Sequence, residues 1–218
     1  MTGLLLKDWK LFRRQGRYYG FVLILACAMA FIGSKDFSSF ITSYMTFMIA
    51  IFSFSSFTYD EYEDGMAFLM ALPSGRRDYV KAKYVFSLLL ITGGWIMAVI
   101  LRFGFFLIRY SAAEYLEILP VEPVYLLMTL LYVECSFPVL MKFGAEKGRS
   151  IAFGGLAVIG AGVFLLAKSG IILPVFSSID RLAETAPVPL LAGFLTVCAV
   201  ILWISYRVSL RFMEKREF

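Results

Sequence analysis

The chain has 218 residues, 60% of them hydrophobic and 17% charged, with a formal net charge of +5 and no histidine. An average soluble domain is roughly 25% charged, and a soluble globule of this length could not hide so much apolar surface, so the composition specifies a membrane-embedded protein. The missing histidine removes His-based acid–base catalysis, Ser-His-Asp and Cys-His nucleophiles and most zinc sites.

Residues 3–17 form the first unit. Leu5, Trp9 and Phe12 share one helical face, and Lys7, Lys10, Arg14 and Arg17 line the other. This predicts an N-terminal amphipathic interfacial helix, its apolar face in the lipid boundary and its cations near anionic headgroups. Six apolar stretches follow, at about 18–33, 37–57, 84–108, 123–143, 150–167 and 188–206. Each suits a transmembrane helix of about 20 residues. The basic flank, Phe21 to Ile32 and Ala26-Cys27-Ala28 could also read as a cleaved signal peptide. Cleavage would leave five spans and break the charge alternation described next.

Connections at alternate ends of the spans differ in charge. The N-terminal tail, the loops after the second and fourth stretches and the C-terminal tail (Arg207, Arg211, Lys215, Arg216) hold sixteen basic residues. The other three loops hold four, namely Lys35, Arg109, Lys168 and Arg181. The positive-inside rule then puts both termini in the cytoplasm, with six spans. The expected fold is all-α, a single transmembrane domain over 1–218.

The segment 58–83 opens on Asp60, Glu61, Glu63 and Asp64 and continues through Gly65, Met66, Phe68 and Leu69 to Leu72. Pro73-Ser74-Gly75 ends the run, with Ser74 a possible N-cap, and Arg76 and Arg77 start the next helix. The acids suit a helix N-terminus. This short cytoplasmic helix cannot span, so its apolar side chains need lipid, the rest of the chain or a second protein.

Two ionisable groups lie within spans. Glu134 is near the middle of the fourth, where a charge costs about 2.5–3.5 kcal/mol. It is either a functional carboxylate or a neutral, hydrogen-bonded structural one. Pro138 removes the amide that would bond the Glu134 carbonyl, predicting a kink. Arg102 is in the outer third of the third span. Snorkelling to headgroups accounts for it; a pair with Glu134 would have to bridge roughly 10 Å along the axis. Phe47, Phe52, Phe54 and Phe57 either line an amphipathic path or face lipid. Gly154, Gly155, Ala157, Gly160, Ala161 and Gly162 let helices approach closely, within the chain or between copies. Cys27, Cys135 and Cys198 have no metal-ligand spacing and read as packing residues. No GxxxxGK[ST] motif occurs, so nucleotide binding belongs to another chain.

Three motifs carry a resemblance. They are Leu4-Leu5-Leu6-Lys7-Asp8; the acidic cluster with Leu72-Pro73-Ser74, Arg76-Arg77 and Val80-Lys81-Ala82-Lys83-Tyr84; and Pro138-Val139-Leu140-Met141-Lys142-Phe143-Gly144 followed by Glu146-Lys147-Gly148-Arg149. Together they resemble small bacterial ABC transporter permeases of the type-2 (exporter) superfamily, in particular those of exporters for phenol-soluble modulins and other amphipathic peptides. The resemblance implies a bacterial inner-membrane permease that performs no chemistry. It would pair with a second permease, as a homodimer, and dock two copies of a separate P-loop ATPase that holds ATP and Mg. Asp60, Glu61, Glu63, Asp64, Gly65, Met66, Phe68, Leu69, Arg76 and Arg77 would then be the coupling element. Lys142, Glu146, Lys147 and Arg149 would form a second loop at the same face, and 168–187 an outer re-entrant segment, with Pro174, Pro187 and Pro189 breaking its helices and Asp180 and Arg181 at its rim. The Glu-Ala-Ala…Gly loop of importers is matched only faintly, at the wrong spacing, by Glu63-Asp64-Gly65 and Leu72-Pro73, which favours export. The expected substrate is an amphipathic peptide, a toxin or antimicrobial; no nucleic-acid partner is expected. A secondary transporter or channel working through Glu134 is the alternative, and an intramembrane enzyme is disfavoured by the lack of histidine and of paired carboxylates within the spans.

Overall fold

The computed structural model describes residues 2–32, 38–62, 65–71, 75–170 and 187–216. Among them every regular element is helical: α1 Thr2–Arg14, α2 Gly16–Ile32, α3 Ser39–Glu61, α4 Gly65–Ala71, α5 Arg76–Arg109, α6 Ala112–Ile118, α7 Glu122–Phe143, α8 Ala145–Lys168 and α9 Pro187–Lys215. A short 3-10 turn, Leu119–Val121, joins α6 to α7.

Among the described residues five helices are long and apolar enough to cross a membrane: α3, α5, the run Ala112–Phe143 containing α7, α8, and Leu191–Lys215 of α9. The apolar α2 falls short of that length, with Gly16–Met29 as its apolar part. The third apolar stretch, expected from residue 84, belongs to a helix that starts at Arg76 and runs 34 residues. At 1.5 Å per residue that is about 51 Å, well beyond the roughly 30 Å hydrocarbon core, so α5 is longer than a perpendicular crossing requires. Hydropathy cannot see the extension because Arg76–Lys83 is polar in sequence.

The core lies where α3, α5, α7 and α9 meet. Phe54, Phe57, Tyr79, Tyr84 and Phe137 are nearly fully buried there, and their rings meet edge-on or tilted, as Tyr84 and Phe137 do at 4.9 Å. Such pairs add about 0.5–1.5 kcal/mol each beyond area burial. Phe52, Phe54 and Phe57 therefore neither line a path nor face lipid; they fill the interior. Phe47 sits half-buried against the Tyr132 ring.

The helices alternate in direction, so the polar connections sort to two ends. α1, the last turn of α3, the first turns of α5 and α8 and the last turns of α7 and α9 gather at one end, here the basic end. Ser38, Arg102, Tyr115 and Glu122 meet at the other. The sequence segments richest in Lys and Arg are thus brought together.

The expected helix Asp60–Leu72 divides in two. Asp60 and Glu61 complete α3, and the short helix is α4, beginning at Gly65. Glu63, Asp64, Leu72, Pro73 and Ser74 lie outside the described residues, and Gly75, not Ser74, precedes α5 as its cap residue. Of the segment expected to re-enter at 168–187, residues 171–186, with Pro174, Asp180 and Arg181, also lie outside them. Pro187 opens α9, where its missing N–H costs nothing, and Pro189 falls in the same first turn.

Candidate functional site

The basic end is organised around a buried lysine. Lys83, on α5, is 3% exposed. Its Nζ lies 3.0 Å from Asp8 Oδ2 of α1 and 2.6 Å from Asp60 Oδ2 of α3. It also donates to the Ser56 hydroxyl, which donates to Asp8 Oδ1 at 2.9 Å. Tyr79 donates to Asp60 Oδ2 at 3.0 Å, and Lys7 pairs with Asp60. Lys83 Nζ sits 5.2 Å from the Phe57 ring centroid and 5.4 Å from that of Tyr79, so aromatic faces complete its shell. Two lysines balance two aspartates, and the carboxylates find donors on three helices. Such closure is the condition under which buried charges are tolerated.

The network revises the reading of α1. Leu4 and Asp8 face inward while Trp9 is 53% exposed. Lys7 turns to Asp60 rather than to headgroups. The helix is latched to α3 and α5 by charge. Sequence reasoning missed Asp8 and the burial of Lys83. One signal was available: Asp8 is the sole acid in residues 2–17, four residues from Leu4 and hence on its face.

Glu61 forms a second latch. Its carboxylate lies 2.8 Å from Arg216 Nη1 and accepts the Ala145 backbone N–H at 2.6 Å. It thus ties the end of α3 to the start of α8 and to the C-terminal tail. Between α7 and α8 the chain turns at Gly144, with φ 84° and ψ 169°, a conformation reached essentially by glycine alone. A Cβ there would stand 3.1 Å from Glu61 Oε2. At Gly148 a Cβ would meet the Leu140 backbone at 2.7 Å, so this glycine allows α8 to lie directly on α7. The motif from Pro138 to Arg149 is thus a proline within α7, a forced turn and a close helix contact. Gly144→Ala should cost about 1–3 kcal/mol, read as a lower thermal midpoint of the detergent-solubilised protein; an unchanged midpoint would contradict this account of the turn.

Of the other residues proposed for coupling, Met66 is buried and Phe68 is 69% exposed. Leu69 and Met70 pack on the core, so α4 is fixed by one face and presents Phe68 outward. Arg77 Nε contacts Glu214 Oε1 at 3.0 Å, and Arg76 Nη1 donates to the Glu214 carbonyl at 2.5 Å, joining α5 to the end of α9. These exposed contacts contribute about 0–1 kcal/mol. Arg149 donates to Thr58 Oγ1 at 3.3 Å; with Glu146 it lines a groove beside the end of α3. Lys142 lies over the Phe143 and Phe212 rings, and Lys147 is exposed.

Within the spans, Pro138 leaves the Glu134 carbonyl without its helical donor, and α9 supplies one. Ser205 donates to that carbonyl. Tyr84 lies 2.6 Å from Ser205 Oγ and 2.8 Å from Ser209 Oγ. With Ser205 donating to the carbonyl, the hydroxyls order as Ser209 to Tyr84 to Ser205. The Glu134 carbonyl freed by Pro138 is thereby stitched to α5 and α9. The Glu134 side chain is 3% exposed, and its Oε2 has no hydrogen-bond partner among the described residues. Arg102 neither snorkels nor reaches Glu134. It is 4% exposed, with Nη1 2.7 Å from Glu122 Oε1 and its other nitrogens on Ser38. The sequence reading omitted Glu122, which is fully buried and also accepts from Tyr115 at 3.3 Å. Its position at the edge of an apolar run resembles that of any loop acid.

Among the described residues no group of three or more His, Cys, Asp or Glu side chains could hold a metal ion. Cys27, Cys135 and Cys198 are free thiols. No curated protein and no solved structure matches the chain. A family model described as ABC-2 family transporter protein matches residues 3–214, a range that runs from α1 to the end of α9 and includes every latch above. Permeases of this family normally work with an ATPase subunit. With its membrane-spanning helices and a match over nearly its whole length, the chain is an integral membrane protein that belongs to the ABC-2 transporter family.

Proposed function

We propose that the chain is the permease subunit of an ATP-driven exporter in a bacterial cytoplasmic membrane, a single transmembrane domain working as a homodimer with two separate ATPase subunits. The cargo is an amphipathic substrate, most simply a peptide. The permease performs no chemistry; ATP and Mg belong to the ATPases. The basic end faces the cytoplasm, α2 is the sixth span, and α4 is the coupling helix. Importer-type coupling residues are absent at the required spacing, which favours export.

The observation that carries this reading is the placement of α4. It is a seven-residue helix seated on the core through Met66, with an aromatic side chain turned outward. The latches of Asp60 and Glu61 lie one turn before it. A push on α4 would reach α3 and, through Lys83, α1 and α5; through Glu61 it would reach α8 and the tail. ATP-driven closure of the ATPases would thus move several spans together. Reconstitution with the cognate ATPase should give hydrolysis stimulated by amphipathic peptides; hydrolysis indifferent to the permease would refute it. Reporter fusions after Lys35, Arg109 and Lys168 should all report outside, and a cytoplasmic signal at any would overturn the six-span topology.

The unpartnered Glu134 Oε2 supports a second reading, a secondary transporter working through this carboxyl. Under the exporter reading Glu134→Gln should leave ATP-driven transport within about twofold, because the Ser205 bond is to the backbone carbonyl and survives. Glu134→Leu should mainly reduce folded yield. Transport driven by a proton gradient without ATP, and abolished by Gln, would favour the second reading.

A further inference from the structure

We propose that the end of α9 holds an anionic phospholipid, its phosphate between Arg207, Arg211 and Arg77. These residues, with Trp203, Leu210 and Glu214 among the others, line a groove of about 490 Å³ between α9 and the start of α5. Its charge is unbalanced. The Glu214 carboxylate is taken by Arg77 at 3.0 Å. Among the described residues no carboxylate lies within ion-pair distance of Arg207 or Arg211, both of which are exposed. Arg207 is held in place by stacking: its guanidinium carbon lies 5.2 Å from the Trp203 ring centroid. A guanidinium fixed by its face presents its N–H edge to an oxyanion, and arginine pairs with phosphate through two parallel bonds.

The surface below the groove suits the rest of a lipid. Val197, Val200, Trp203 and Ile204 are each about half exposed or more and belong to α9, immediately before its first cation. An acyl chain can lie along them while the headgroup meets the arginines. Trp203 sits at the change from apolar to basic, where tryptophan is enriched in membrane proteins. A soluble phosphate would use the cations and leave the apolar strip unfilled. An acidic protein segment would use the cations but leave uncovered an exposed apolar strip that belongs to the spanning run Leu191–Lys215. The two-part surface selects a molecule that is anionic at one end and apolar at the other. The site lies at a membrane–water boundary whichever way the chain is oriented, so it stands apart from the transport reading.

The test uses the full-length permease in nanodiscs of phosphatidylcholine containing a minor share of phosphatidylglycerol, followed by native mass spectrometry of retained lipid. Wild type should retain phosphatidylglycerol in preference to phosphatidylcholine. Arg207→Gln with Arg211→Gln should lower that preference roughly thirtyfold, while Lys147→Gln with Lys168→Gln, removing two exposed cations elsewhere, should leave it intact. Inorganic phosphate should not displace the lipid. Equal retention of both lipids by wild type would overturn the proposal, and so would displacement by inorganic phosphate. Unchanged lipid preference in the Arg207/Arg211 variant, with loss of ATPase or of a second copy, would assign the groove to a protein partner and overturn it too. If the double glutamine variant fails to insert, the wild-type lipid preference and the phosphate competition still decide.

Discussion

Replacing Lys83 by methionine should destabilise the protein by about 3–5 kcal/mol, the typical cost of removing one partner from a buried ion pair. Methionine matches the length of the aliphatic stem and fits among Phe57 and Tyr79, so lost packing is a small part of the effect. What remains is Asp8 and Asp60, at 1% and 5% exposure, with only Lys7 to answer two carboxylates. The loss should appear as a lower thermal midpoint in detergent and as proteolytic release of α1, whose latch is gone. Adding Asp8→Asn to Lys83→Met restores charge balance, since Lys7 and Asp60 remain paired and the amide still accepts from Ser56. The double variant should therefore recover much of the midpoint. A single variant as stable as wild type would show that the lysine does not organise this end.

Phe68→Asp should uncouple the ATPase. An aromatic side chain 69% exposed on a short helix is the kind of anchor that carries more than its share of an interface, commonly 2 kcal/mol or more. On that scale docking weakens by roughly thirtyfold. Folding should be unaffected, because the side chain touches little of its own chain. Glu61→Lys is the informative contrast. It breaks the contacts to Arg216 and Ala145 and sets two cations together, so its first effect should be on stability rather than on docking. Equal loss of folded yield in both variants would remove Phe68 from the coupling surface.

The long spans were legible because each is an uninterrupted apolar run bounded by charge, and no alternative element can bury such a run. Helix ends were less so. The eight residues Arg76–Lys83 continue α5 as regular helix, yet their polar side chains look like loop in a hydropathy trace. Pairings were least legible. The sequence marked Arg102 and Glu134 as costly and offered one possible link between them; the structure gives Arg102 to Glu122 and bonds Ser205 to the Glu134 backbone carbonyl. Lys83 counted correctly toward the charge bias of its loop, but nothing local states that it is buried, because its partners are 75 and 23 positions away. The unbonded Glu134 carbonyl was readable from the amide that Pro138 lacks, whereas the hydroxyl that satisfies it comes from another helix. Burial of Phe54 and Phe57 likewise depends on which face of α3 meets α5 and α7, a property of packing rather than of composition.

The central claim, that α4 is the surface on which a separate ATPase docks, is tested most directly by photocrosslinking. A benzophenone amino acid is placed at Phe68 and, in a second protein, at Phe164 on α8, which is 69% exposed as well but lies toward the opposite end. With the cognate ATPase present, illumination should give a permease–ATPase adduct from position 68 and none from position 164, and Phe68→Asp elsewhere in the same assay should abolish co-purification. No adduct at 68, or adducts of equal yield at both positions, would contradict the account.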